Sequence, residues 1–265
     1  MTERSLSRLG AVLADCAPAV VAVSGGVDSM TLAAVAGRTL GDAVRMFHAI
    51  SPAVPPSATA RVRRYAKAER WDLRVVDAGE FRDEAYLANP ADRCFFCKAN
   101  LYRTLARSTS ATLLSGTNTD DLGDWRPGLA AAADHGVRHP YVEAGIDKAA
   151  VRRLARGLGL ADLAELPAAP CLSSRVETGL RIDANVLRRI DRAERLLRNA
   201  IQAASIRCRV RRDGVVLEID AKALGSIAPT ERDRLRERIG QIFAGEPIRF
   251  EPYRRGSAFL RPMHG

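Results

Sequence analysis

The chain has 265 residues, 47% hydrophobic and 27% charged, which is ordinary globular material, long enough for one large core and a smaller second unit. Its first apolar run, Ala19 to Val23, is broken at once by Ser24-Gly25-Gly26; that is too short for a secretion signal, and no later run reaches spanning length, so a cytoplasmic protein without membrane segments is expected. The net charge of +10 is uneven, residues 1–180 carrying 22 basic and 20 acidic side chains and residues 181–265 carrying 19 and 11, yet 37 arginines beside four lysines read as compositional bias more than as a surface for nucleic acid.

In chain order, short β-like runs at residues 19–23, 44–50, 73–78, 112–115 and 137–142 alternate with helical stretches at 32–40, 57–70, 97–106 and 148–158. That alternation predicts an α/β fold with a mostly parallel sheet and helices on both faces, its ligands bound beyond the carboxyl ends of the strands. After Pro167-Ala168-Ala169-Pro170 the pattern changes to a long Arg-rich helix at 184–203, two strands at 206–211 and 215–219 joined by a hairpin turn at Asp213-Gly214, a helix at 230–243 and a strand at 248–250. Two domains follow: residues 1–178, and a small basic α+β domain, 179–265, for substrate binding or oligomerisation. Trp71 and Trp125 read as packing residues.

The strongest local signal is Ser24-Gly25-Gly26-Val27-Asp28-Ser29, directly after an apolar strand and directly before a helix. Two glycines let the backbone approach a ligand, and the helix-start N–H groups with Ser24 and Ser29 can hold phosphate oxygens. Asp28 is placed to ligate the magnesium of a nucleotide. A plain strand-to-helix turn is the competing reading, and the absence of G-x-x-x-x-G-K-[ST] excludes a Walker-type loop. The hexapeptide resembles the PP-loop of ATP pyrophosphatases, which cleave ATP between the α and β phosphates and leave an adenylylated substrate.

Five cysteines, Cys16, Cys94, Cys97, Cys171 and Cys208, argue against a disulfide framework and toward thiol or metal chemistry. Cys94-Phe95-Phe96-Cys97 leads into a helix, and Cys171 lies in Pro170-Cys171-Leu172-Ser173-Ser174-Arg175. Three thiolates fall one short of a closed zinc site; they can hold a 4Fe-4S cluster by three irons. Cys16, assigned to a first amphipathic helix, and Cys208, on a strand, read as inert, and reduced thiols without metal remain the plain alternative for Cys94 and Cys97.

Together these pieces resemble the LarE family of PP-loop sulfur transferases along essentially the whole chain. The likeness rests on the order and spacing of Ser24–Ser29, Ser51-Pro52-Ala53-Val54-Pro55, Asn89 to Lys98, and Ser115 through Asp124 to Gly128. Glu143 to Lys148, Cys171 to Arg175, Arg207 to Arg209 and Tyr253-Arg254-Arg255-Gly256-Ser257 extend it to the C-terminus. The resemblance implies an adenine nucleotide alpha hydrolase-like fold, and an enzyme that uses ATP and Mg2+ to adenylylate the carboxylate of a pyridinium biscarboxylic acid mononucleotide and replace it by thiocarboxylate for a nickel-pincer cofactor.

It further implies either that Cys94, Cys97 and Cys171 hold a 4Fe-4S cluster or that Cys171 alone attacks the acyl adenylate and is sacrificed. The full trio favours the cluster. Ser24, Gly25, Gly26, Asp28 and Ser29 are then expected at the pyrophosphate, Ala49 and Ser51 near the adenosine, and Gly116 and Thr117 at a later strand end. Asp120 and Asp121 beside them are candidates for magnesium or for helix capping. Arg207 and Arg209 alternate on one strand, as a clamp for the mononucleotide phosphate or as exposed edge arginines, with Ser174, Arg175 and Glu194 also near the substrate. The family likeness implies a homo-oligomer, a hexamer being one candidate. The rivals are a tRNA-thiolating PP-loop enzyme, against which stands the lack of basic stripes interleaved with aromatics, and a nucleotide sensor without catalysis.

Overall fold

Along Ala19-Val20-Val21-Ala22 successive side chains enter two different apolar layers: Ala19 and Val21 pack in one buried cluster and Val20 in another. A strand apolar on both faces must be covered on both. In the computed structural model, which describes residues 2–123, 125–168, 170–254 and 257, that is how β1 lies. Asp124, Ala169, Arg255 and Gly256, named in the motifs above, are outside the described residues. The elements are α1 (Thr2–Asp15), β1 (Ala19–Ala22), α2 (Val27–Leu40), β2 (Val44–Ile50), α3 (Pro56–Glu69), β3 (Leu73–Asp77), α4 (Glu84–Leu87), α5 (Arg93–Ser108), β4 (Thr112–Leu114), α6 (Pro127–Asp134), α7 (Pro140–Glu143), α8 (Lys148–Gly157), α9 (Ala161–Ala164), α10 (Ala184–Ala200), β5 (Ile206–Arg211), β6 (Gly214–Ile219), α11 (Ala221–Ser226), α12 (Pro229–Ile242) and β7 (Ile248–Pro252).

Two compact units divide the chain: Met1–Asp83 with Asp92–Ala169, and Glu84–Ala91 with Pro170–Gly265. The first holds a four-stranded parallel sheet in the order β3-β2-β1-β4. One face carries the larger core, with Leu9 and Leu13 of α1, Met30 and Leu32 of α2 and Val151 and Leu154 of α8; the other carries Phe47, Tyr102, Leu105, Leu113 and Ala132. The α/β fold with helices on both sides is therefore the observed one, a PP-loop-like architecture. Because β2 and β3 lie to one side of β1 and β4 to the other, the chain reverses its direction of growth between β1 and β4, the point where open α/β sheets bind ligands.

In the second unit β5 and β6 are antiparallel and β6 and β7 parallel. α10 buries Leu187, Ile190, Ala193 and Leu197, the spacing of one helical stripe, and its N-cap Asp183 accepts from the N–H groups of Asn185 and Val186. The segment around α4 is tied to residues 173–182 by its own polar groups. Asn89 Nδ2 donates to the carbonyls of Glu177 (2.8 Å) and Leu180 (2.7 Å), and the Tyr86 and Ser173 hydroxyls lie 2.6 Å apart.

Four local expectations are corrected. Residues 137–142 form no strand: Arg138 makes one parallel bridge to Leu114, after which Pro140 opens α7, since proline fits a first helical turn and cannot donate to a ladder. The hairpin turn is Arg212-Asp213, with Gly214 already paired to Arg211 as the first residue of β6. Cys16 lies in the turn just past α1, its N–H on Leu13 O at 3.0 Å. Trp125 is 54% exposed and does not pack in a core, whereas Trp71 lies against the larger core. Among the described residues no helix is long and apolar enough to cross a membrane.

Candidate active site

The loop after β1 is shaped by its glycines. Gly25 has φ +84°, and a Cβ there would meet Ala58 O of α3 at 2.9 Å, so only glycine lets α3 lie against the loop. Gly26 is the N-cap of α2 and brings no side-chain acceptor; the first-turn N–H groups have no carbonyl partner within the helix and favour an anion. Ser24 and Ser29 face one another across the turn, their hydroxyls 3.0 Å apart, with Ser24 N–H donating to Ser29 Oγ (3.0 Å). The Arg61 guanidinium of α3 donates to Gly25 O at 2.7 Å, and burial pulls its pKa below the usual arginine value.

Beneath the loop, His48 of β2 is buried, with Nδ1 2.8 Å from Val23 O and Nε2 2.9 Å from Thr59 Oγ1. The carbonyl requires Nδ1 to donate, so in the neutral ring Nε2 accepts from the threonine hydroxyl. Burial lowers the His48 pKa, against the raising effect of that carbonyl bond.

On the β4 side, Gly116 presses against α2: a Cβ would come within 2.8 Å of Ser29 N. Ser115 Oγ lies 3.0 Å from Thr117 Oγ1 and 2.7 Å from His139 Nδ1; burial also lowers the His139 pKa. Asp28, in the first turn of α2, pairs with Lys148 and receives Asn118 Nδ2 at 3.3 Å, and its carbonyl accepts from Tyr141 OH at 3.1 Å. Asp120 and Asp121 are both engaged by the backbone, Asp120 Oδ2 with Lys148 N (3.2 Å) and Asp121 Oδ2 with Asn118 N (3.1 Å), and Asp121 also pairs with Arg126 at 2.7 Å. Ser51 Oγ accepts from Ala53 N at 3.2 Å just past the end of β2, where Ala49 pairs with Val76.

Cys94 lies in the first turn of α5 and Cys97 about one helical turn on, Cys94 exposed and Cys97 half-buried. Cys171 belongs to the second unit and is half-buried, at the start of the 3-10 turn Leu172–Arg175. Among the described residues no group of three His, Cys, Asp or Glu is assembled to hold a metal ion.

Within the second unit, the predicted substrate residues form a buried charge network. Arg175 donates to Glu194 through Nε (2.9 Å) and Nη2 (3.3 Å), and its Nη1 reaches the carbonyls of Pro170 (2.6 Å) and Cys171 (3.1 Å) and Ser174 Oγ (2.9 Å). The same guanidinium therefore fixes the backbone that carries the Cys171 thiol. Ser174 Oγ donates to Cys171 O at 2.7 Å. Arg209 is buried, its Nε on Glu218 at 3.0 Å and Nη1 on Ser174 O at 2.8 Å; an exposed edge arginine it is not. Arg207 stands over the Tyr253 ring, 5.7 Å from its centroid, with its pKa lowered first by burial and then by nearby Arg175.

Reasoning from sequence missed Lys148, Asn118, Arg61, His48 and Glu218. Lys148 left a trace as one of four lysines at the start of a predicted helix, and Glu218 as the acid facing arginines across an expected hairpin. Asn118 left only its place within the segment from Ser115 to Asp124, and Arg61 left no trace, since each meets the loop across a long stretch of chain.

No profile of a known protein family matches the chain. An uncharacterized protein of Synechocystis sp. is 38% identical over 202 residues, 75% of each chain, and an uncharacterized protein of Methanocaldococcus jannaschii is 26% identical over 76% of this chain and 77% of its own. A pyridinium-3,5-bisthiocarboxylic acid mononucleotide synthase of Lactiplantibacillus plantarum is 28% identical over 222 residues, covering 82% of this chain and 80% of its own.

Proposed function

Because the chain belongs to the LarE family, we propose that it is an ATP-dependent sulfur transferase acting on the carboxylate of a pyridinium biscarboxylic acid mononucleotide to make thiocarboxylate. The observation that carries the reading is the phosphate cradle at the switch point of the sheet: an α2 start whose N-cap Gly26 brings no side-chain cap, flanked by the Ser24 and Ser29 hydroxyls and closed by Gly25 and Gly116.

The chemistry follows from that cradle. A carboxylate is a poor acyl donor because its leaving group is oxide. Attack by the carboxylate oxygen on the α-phosphorus forms one P–O bond and breaks the bond to the β-phosphate, so pyrophosphate leaves with the electron pair and an acyl adenylate remains. Ser24, Gly26 and Ser29 hold the phosphates, and Asp28 is the carboxylate placed to meet a nucleotide-bound magnesium, which when present neutralises phosphate charge. Asp120 and Asp121, already bonded to backbone N–H groups, position Lys148 and Asn118 and are not magnesium ligands in this reading.

Sulfur enters in a second step, in which a sulfur nucleophile attacks the acyl carbon and AMP leaves. The donor set of Cys94, Cys97 and Cys171 suits a 4Fe-4S cluster, which these residues would hold and which when bound supplies an iron open to an extra sulfide. A second reading gives Cys171 alone as the donor: its thiol attacks, and elimination of the thiocarboxylate leaves dehydroalanine. What favours it is that Cys171 is partly exposed on a backbone that Arg175 and Ser174 hold rigidly. In both, Cys171→Ser retains ATP-dependent pyrophosphate release and stops thiocarboxylate formation, while Asp28→Ala loses both. Full sulfur delivery by Cys171→Ser contradicts the assignment. Iron and sulfide analysis after anaerobic purification, set beside the mass of the reacted chain, separates the two readings.

A further inference from the structure

The loop between β1 and α2 contains no lysine, yet a lysine from a distant element is brought to it. Lys148 is the first residue of α8, just after the N-cap Asp147. Its ammonium pairs with Asp28 Oδ2 and its backbone N–H donates to Asp120 Oδ2; the Asp120 N–H donates to Asn118 Oδ1 at 3.1 Å, and Asn118 Nδ2 returns to Asp28. Four residues from three segments thus form a closed ring around one movable cation.

The ring treats its members unequally. Asp28 is held by helix α2, by Asn118 and through its carbonyl by Tyr141, so it stays in place without the lysine. Lys148 Nζ is held by Asp28, with the side chains 35% and 27% exposed, so the pair is solvated and parts at little cost. A lysine on a flexible stem, with three rotatable donors, can turn from that carboxylate to an oxyanion in the neighbouring loop. When the α–β bond of ATP breaks, negative charge grows on the β-phosphate, and a cation there stabilises the transition state more than the ground state.

Resting on the nucleotide reading above, we infer that Lys148 is the cation that receives the departing pyrophosphate and that Asp28 keeps it neutralised while the loop is empty. The bond from β-phosphate oxygen to α-phosphorus breaks, its electron pair stays on that oxygen, and Lys148 meets the charge there without transferring a proton.

The test is equilibrium binding of inorganic pyrophosphate, AMP and ATP to the full chain in buffer free of divalent cations. Lys148→Met is expected to bind pyrophosphate at least about tenfold more weakly, equivalent to ~1.4 kcal/mol, with AMP affinity unchanged within about twofold. Lys148→Arg should restore part of the loss. Asp28→Asn, which releases the lysine, should bind pyrophosphate more tightly than the unaltered protein, and it decides the matter if Lys148→Met does not fold. Unchanged pyrophosphate affinity in Lys148→Met, or equal losses for pyrophosphate and AMP, overturns the inference and leaves the nucleotide reading standing. An unaltered protein that binds neither ATP nor pyrophosphate, in this buffer and again with magnesium restored, overturns both.

Discussion

Glu194 takes two arginines and a backbone amide on one buried carboxylate: Arg175, Arg198 and the Cys208 N–H at 3.2 Å. Burial pushes its pKa up, but Arg175 and then Arg198 outweigh that and hold it below the ordinary glutamate value. A folded pKa below the unfolded one gives stability that is present above the ordinary carboxylate range of about 4.3 and is lost as pH falls through the folded value. Glu194→Gln should therefore flatten the acid limb of a denaturation profile, and an unchanged limb would assign acid sensitivity elsewhere. Arg175→Met, which leaves the buried carboxylate only Arg198 and the Cys208 N–H, is expected to cost up to ~3–5 kcal/mol in urea unfolding. Since the same guanidinium anchors the Cys171 carbonyl, this variant should lose thiocarboxylate formation more steeply than pyrophosphate release.

Between α2 and α3 the loop is held from three sides, by Arg61 on Gly25 O, by His48 linking Val23 to Thr59, and by Ala58 against the bare Gly25 Cα. Gly25→Ala adds strain of ~1–2 kcal/mol at a left-handed residue and a collision with Ala58 O, so ATP binding should weaken while the second unit melts as before. ATP affinity equal to that of the unaltered protein would mean the loop is not the cradle. His48 titrates in the same sense as Glu194: kept neutral by burial, it opposes folding once acid protonates the unfolded chain, so stability falls as pH drops below about 6.5, and His48→Gln should remove that slope.

Much at this scale was legible in the sequence, because the strand, loop and helix of Ala19 to Leu40 are contiguous and each announces itself by period or glycine. Residues 44–50 were likewise readable as a strand from their apolar run. The Asp28–Lys148 ring was not, since its partners are 120 residues apart and local periodicity says nothing about which helix start faces which loop. Residues 137–142 misled for a related reason: their alternation fits a strand, but Pro140 and the single bridge at Arg138 end it. Alternation alone makes Arg207 and Arg209 equivalent; the opposite strand decides otherwise by placing Glu218 where Arg209 can bury against it.

Across the whole molecule the excess of arginine in residues 181–265 does not amount to a bare cationic surface. Arg198, Arg209, Arg211, Arg212, Arg236 and Arg249 each pair with a carboxylate, so acidic groups are interleaved among the cations and oppose contact with a polyanion, although 19 basic against 11 acidic side chains leave an excess of eight. Binding of tRNA should accordingly be weak and vanish by physiological salt; tight binding that survives it would favour an RNA substrate. The central claim is that the cradle cuts ATP between its α and β phosphates for a carboxylate. Phosphorus NMR of the purified protein with ATP, magnesium and the pyridinium biscarboxylate mononucleotide should show AMP and pyrophosphate appearing together, and only when the acid is present; ADP and inorganic phosphate, or no turnover, would contradict it.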